Sequence, residues 1–283
     1  MPVTPGPASA KPADVTAPAL RVPVYAGFTV GAQVGPSEAF ATEDEWYKTS
    51  SIPQDLRWSA TDPSGICGYD VWAMESGTYP HLLATDVRSP TFRGTSNDYD
   101  QVMPGSTILG WGVAARDCVG NSTAVVNYPY PGDTDTVSVD LGVAHEARVG
   151  GTLTQEDSRS IVYHDRALIS YTGAWATRTS VAYSAGAAVQ TAKSGASALV
   201  KVDIDQAGKH VALVGAAGPN HGKYAVYLDG RKVSTVDTYS ATKVPRRVAW
   251  DRALPAGHHA IKLINLGTTG RPIVQLDAVL QSW

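Results

Sequence analysis

The sequence predicts an all-β chain built as two β-sandwich domains in tandem. Three observations carry that expectation. Apolar and polar residues alternate with a period of two in several stretches of strand length, which puts one face of each toward a core. Nowhere do apolar residues recur at helical spacing for three turns between caps, and 27 glycines and 18 prolines punctuate the chain at short intervals. A length of 283 residues is enough for two cores of ordinary size.

The opening MPVTPGPASAKPADVTAP, residues 1–18, is rich in Pro, Ala and Thr and nearly free of large apolar groups, so it reads as a disordered linker. A linker in first position suggests a segment upstream that has been removed. The first sandwich is expected over residues 19–132 and the second over 133–283, with the boundary at NYPYPGDTDT (127–136), where turn formers cluster and apolar patterning lapses. In the second half, SALVKVDID places Ala198, Val200, Val202 and Ile204 on one face and Lys201, Asp203 and Asp205 on the other. KYAVYLDGRKV reads as two strands around Asp229-Gly230, a hairpin signal because that turn needs positive φ. HHAIKLINLG and PIVQLDAVL repeat the alternation.

A net charge of -3 with mixed signs provides no basic stripe for nucleic acid and no polybasic anchor. No apolar run approaches the roughly 18 residues of a membrane span, so no membrane insertion is expected and the chain reads as soluble. Catalysis is not expected either. The acidic residues are scattered, and no G-x-S-x-G elbow, HExxH or P-loop occurs. His258 and His259 are adjacent, so on a strand they point to opposite faces and cannot share a metal.

In the first half, LRWSATDPSGICGYDVW followed by VMPGSTILGWGVAARDCVGNSTAVV resembles the bacterial fibronectin type III-like and immunoglobulin-like modules of secreted proteins. The matching features are a leading DVTAP, the W-S-A-T-D-P-S-G-I strand and turn, Tyr69, a PG turn and the closing A-R-D-C-V-G-N, covering residues 14 to 127. A long insertion, GPSEAFATEDEWYKTSSIPQ, departs from the pattern in the first connection. The resemblance implies that the turn before Tyr69 and the turn after Arg116 lie at one end of the sandwich. That brings together Cys67 and Cys118, the chain's 2 cysteines, as a disulfide. Two buried free thiols are the alternative. A disulfide implies export, hence a secreted or cell-surface location.

The second half, through YTGAW (171–175), SGASALVKVDI (194–204), YAVYLDG (224–230), LPAGHHAIKL (254–263) and VQLDAVL (274–280), resembles the galactose-binding-like jelly rolls that serve as carbohydrate-binding accessory modules. Such jelly rolls often tie the first strand to the last with a structural calcium, which implies Asp277, with Glu156 and Asp157, as metal ligands. Sugar binding needs aromatic faces and polar groups to bond hydroxyls. The candidates are Tyr239, Asp237, His221 and Asn220, with Trp175 as a further ring that core packing also claims. Trp46 and Tyr47 in ATEDEWYK are an alternative recognition loop or an edge cover.

The expected function is a non-catalytic accessory or surface-binding region of a secreted protein, with a polysaccharide or cell-surface glycan as ligand. Two alternatives stand beside it. One is a structural or adhesive module pair with protein partners, as in a surface or phage-particle assembly. The other is the C-terminal fragment of a secreted hydrolase whose catalytic domain lies upstream.

Overall fold

In the computed structural model, which describes residues 14–34, 51–75, 81–97, 108–127, 143–146, 169–183, 187–204 and 207–281, every regular element is a strand. The first sandwich uses β1 (Ala19–Phe28), β2 (Ser51–Thr61), β3 (Ile66–Glu75), β4 (His81–Val87), β5 (Thr91–Asn97), β6 (Ile108–Asp117) and β7 (Val126–Asn127). A three-stranded sheet in the order β1-β2-β5 faces a four-stranded sheet in the order β4-β3-β6-β7. Between them lie Leu56, Trp58, Tyr69, Val71, Val113 and Ala115, all buried. The Trp58 and Tyr69 rings meet edge to face at 5.4 Å, a geometry worth about 0.5–1.5 kcal/mol beyond the area it buries. Cys67 and Cys118 form a disulfide across 51 residues, joining the start of β3 to the turn after β6.

The second sandwich contains β8 (Val143–Glu146), β9 (Ile169–Thr172), β10 (Ala176–Thr179), β11 (Ala187–Thr191), β12 (Ser197–Ile204), β13 (His210–Ala217), β14 (Lys223–Leu228), β15 (Arg231–Asp237), β16 (Val244–Ala253), β17 (Gly257–Asn265), β18 (Val274–Leu276) and β19 (Ala278–Gln281). A five-stranded sheet, β15-β14-β17-β12-β9, lies against a four-stranded one, β16-β13-β19-β8, and a third, β10-β11-β18. The main core runs from Ala198, Val200 and Val202 through Tyr224 and Val226 to Ile261, Leu263, Leu213 and Leu276. The hairpin at Asp229-Gly230 forms as expected, with φ of 49° and 79° in the turn.

The two sandwiches are joined through the chain that leaves β1. Gly31 N–H donates to the Val248 carbonyl at 2.8 Å, Val248 N–H to Ala32 at 2.9 Å, and Val34 N–H to Arg246 at 2.8 Å, which lays residues 31–34 along the edge of β16. Phe28 and Val34 pack on Ala212, Val214, Val248, Ala278 and Leu280, the outer face of the four-stranded sheet. Each of these two buried side chains contributes roughly 1.5–3 kcal/mol. At the mouth of this joint the Asp251 carboxylate accepts the Phe28 N–H at 3.2 Å and meets His210 Nδ1 at 2.9 Å. Gly27, at φ 115°, passes so close that a Cβ there would sit 2.4 Å from the Asp251 carboxylate, so any other residue would strain the backbone and displace the Asp251–His210 pair.

This joint explains why two strands are buried on both faces. In PIVQLDAVL the alternation should turn Gln275 and Asp277 to solvent, yet residues 274–280 are all buried, because one face meets the main core and the other the chain from β1. Strand β13 is covered on both faces for the same reason. Of the expected linker, residues 1–13 lie outside the described residues; of the rest, Pro18 is buried, and the Asp14 carbonyl accepts from Asn121 Nδ2 at 3.1 Å. Of the expected insertion of residues 35–54, residues 35–50 lie outside the described residues and the last four open β2 at Ser51. Trp46, Tyr47 and nearly all of the boundary at 127–136 lie outside the described residues.

Candidate functional site

Three connections converge at one end of the five-stranded sheet: residues 218–222 between β13 and β14, 238–243 between β15 and β16, and 266–273 between β17 and β18. Backbone hydrogen bonds stitch them together. Gly218 N–H donates to Thr238 at 3.1 Å, Thr238 N–H to Gly222 at 3.0 Å, Gly222 N–H to Ile273 at 2.8 Å, and Ile273 N–H to Asn220 at 3.2 Å. Gly222 permits the approach, since a Cβ there would lie 2.0 Å from the Arg271 carbonyl. Loops so bonded are preorganised and lose little freedom when a ligand arrives.

Four of the expected ligand residues sit in this cluster. Tyr239 is 51% exposed, and the Arg271 guanidinium lies 4.9 Å from its ring centroid. Arg271 is fixed in turn by a two-pronged contact to Asp237, at 2.9 Å and 3.3 Å, and the Tyr239 N–H donates to the same carboxylate at 3.0 Å. Lys223 Nζ lies 3.7 Å from Asp237. Burial alone would raise the Asp237 carboxyl, but the bonds from Arg271 and the Tyr239 N–H, with the charges of Arg271 and Lys223, hold it below the usual Asp value. Asn220 is exposed on its turn.

His221 belongs to the same cluster, its carbonyl accepting from Arg271 at 3.3 Å. Both ring nitrogens are shielded and have no hydrogen-bond partner among the described residues, and burial, followed by the Lys243 charge, pulls the imidazole below its ordinary value. The neutral ring offers one donor and one acceptor.

Trp175 is placed differently. It is half-buried against the main core, donates its indole N–H to the Thr172 carbonyl at 3.3 Å, and stands 5.2 Å from the Tyr171 ring. Arg271 is the residue the sequence reading missed. The isolated TTGRPI stretch carries no periodic or motif signal, and only the fold brings it to Asp237.

Of the expected metal ligands, Glu156 and Asp157 lie outside the described residues. Asp277 is fully buried, with its N–H donated to Val214, and its charge is felt by Arg246. Arg246, itself buried at φ 50°, donates to the carbonyls of Val34 and Ala182. A calcium at Asp277 would have to share this interior with a guanidinium, so the surroundings fit a counter-ion for Arg246 better than a divalent cation.

Among the described residues the carboxylates close enough to share a metal are Asp14, Asp62 and Asp117, at one pole of the first sandwich, with ligand atoms within 4.8 Å of one another. Their oxygens close local turns: Asp117 accepts the N–H groups of Val119, Gly120 and Asn121, Asp62 that of Ser64, and Asp14 that of Thr16. Burial would raise the Asp117 carboxyl, but the bonds from Asn121, Val119 and Gly120 outweigh it and hold the group below the usual Asp value. His258 and His259 are likewise committed separately, to Asp203 and Asp229.

No protein-family model matches this chain, and no curated protein matches it. Among solved structures it is similar to a family 35 carbohydrate binding module from Clostridium thermocellum, with 20% identity, a TM-score of 0.34, and coverage of 41% of this chain and 92% of that one. A CBM35 from Cellvibrio japonicus Abf62 shares 16% identity at TM-score 0.30, over 35% of this chain and 74% of that one. An exo-beta-1,3-galactanase from Phanerochaete chrysosporium shares 15% identity at TM-score 0.34, over 86% of this chain and 67% of that one. At these TM-scores no site or activity is carried over from them.

Proposed function

We propose that the second sandwich binds a glycan through the loop cluster around Tyr239, as a non-catalytic accessory unit of a secreted, surface-facing protein. The observation that carries this reading is the exposed Tyr239 ring, supported by Arg271, which Asp237 clamps in place. A ring held in this way offers its remaining surface to the apolar side of a sugar, and Asn220 and the rim of the cluster offer polar groups to hydroxyls. The disulfide supports an oxidising compartment. The strand order of the first sandwich, three strands facing four, supports its reading as a fibronectin III or Ig-like spacer.

The test is a glycan array probed with the full chain and with Tyr239→Ala. Binding of roughly micromolar to millimolar Kd is expected, since one stacked ring must offset the loss of sugar hydration. The variant should lose that binding with an unchanged melting temperature. Loss of both together would make the ring structural, and unchanged binding would move the site elsewhere.

A second reading is favoured by the joint. Phe28 and Val34 bind the two sandwiches into one body, as a spacer in a larger assembly requires. Absence of any glycan binding by the intact chain would favour it.

A further inference from the structure

We propose that the outer face of the five-stranded sheet is a second binding surface, and that its partner is an acidic polysaccharide. The class of polymer rests on the glycan-binding reading above, whereas the residues are separate from the loop cluster. Inward positions of β12, β14 and β17, such as Val200, Val226 and Ile261, lie in the core, so the period-two alternation turns Leu199, Lys201, Tyr227, Lys262 and Ile264 outward. The register then aligns them. Lys232 on β15 stands opposite Tyr227 on β14, Tyr227 opposite Lys262 on β17, and Lys262 opposite Leu199 on β12. A row running across four strands therefore reads cation, ring, cation, aliphatic. Lys201 extends it on the next line, opposite Ala260.

The three lysines are exposed, and among the described residues no carboxylate pairs with them. The described acids on and around the face are engaged, Asp203 with His258, Asp229 with His259, and Asp237 with Arg271 and Lys223, and Asp205 lies outside the described residues. Adjacent strands are about 4.8 Å apart, so the stems of Lys232 and Lys262 stand about 10 Å from each other with Tyr227 between them. Uronate-type sugars match this spacing of chemistries. Their carboxylates meet ammonium groups, and their C–H faces meet the Tyr227 ring and the Leu199 side chain. A nucleic acid fits less well, because the chain as a whole carries a net charge of -3 and the row offers lysine alone.

The experiment is affinity electrophoresis and calorimetry of the full chain with three probes: polygalacturonate, its fully methyl-esterified counterpart, and single-stranded DNA. Polygalacturonate should bind, more weakly as salt rises, while the esterified chain and DNA bind at least several-fold more weakly. The triple variant Lys201→Gln, Lys232→Gln, Lys262→Gln should raise Kd roughly tenfold, the sum of three exposed charge contacts of modest size, with the melting temperature unchanged. Replacing the same three residues by Arg should preserve binding. No binding of polygalacturonate, equal binding of the esterified chain or of DNA, or a triple Gln variant that binds as well as the parent would each overturn the proposal. Neutral glycans scored with Tyr239→Ala report on the loop cluster independently, so failure there leaves this face standing.

Discussion

The Arg271 guanidinium lies 4.9 Å over the Tyr239 ring, and the Asp237 carboxylate that fixes it also accepts the Tyr239 backbone N–H at 3.0 Å. One carboxylate thus orients both the ring and the cation that supports it. Asp237→Asn removes the charge from that arrangement without changing its shape. Glycan Kd should rise several-fold, while stability changes by less than about 1 kcal/mol, because the pair is partly exposed. Calorimetric titration beside a thermal melt checks both. An unchanged Kd would show that the ring needs no such support.

Acidification should weaken the second sandwich, and His221 sets the first step. Its pKa lies below the ordinary 6.5 in the folded state, so the unfolded chain takes up the proton first. The stability it contributes is complete above that ordinary value and is lost as pH falls through the lower, folded one. Melts between pH 8 and pH 4 should show the decline, and His221→Gln should flatten it. Asp237, also lowered, acts with the same sign only below about pH 4, so the two windows separate. A His221→Gln variant with the parent's slope would refute the assignment.

Phe28→Ala should destabilise both sandwiches together, by about 3–5 kcal/mol if the cavity does not collapse. Phe28 belongs to β1, yet its neighbours Ala212, Val214 and Leu280 belong to the second sandwich. Differential scanning calorimetry would follow the loss. A single lowered transition in the first sandwich alone would mean that the joint carries no stability.

Reduction of Cys67–Cys118 should lower stability by up to roughly 4 kcal/mol on the chain-entropy account for a loop of 51 residues. The effect should reach the second sandwich as well, through residues 28–34. Unfolded, unreduced protein should titrate no thiol. Detection of two would remove the staple.

Much of the architecture was legible because strands obey local rules. The Asp229-Gly230 turn and the alternation of β12 follow from backbone sterics and burial on one face, and both hold. Asn220, His221, Asp237 and Tyr239 were legible as turn residues flanking strands, and the fold does gather them at one end. What was not legible depends on contacts between distant parts of the chain. The burial of Asp277, expected as a calcium ligand, was not legible because the alternation carries no information about a second layer over the sheet. One signal was there: the apolar run of β13, VALVGAA, lacks the polar positions of a strand with a wet face. Arg271 had no signal, since its role is defined by a partner 34 residues away.

Residues 28–34 also impose an order on biosynthesis. The Val34 carbonyl waits for Arg246, 212 residues later, and at roughly 5–20 residues per second that interval is about 10 to 40 s. Strand β19, which supplies Ala278 and Leu280, follows later still. Through that interval the nascent chain holds Phe28 and Val34 without their cover, close to a strand edge that nothing yet pairs. The first sandwich can close early on the ribosome, but its exit segment stays open to other chains until the second sandwich is made, so crowding of translating ribosomes is the condition under which this protein would mispair.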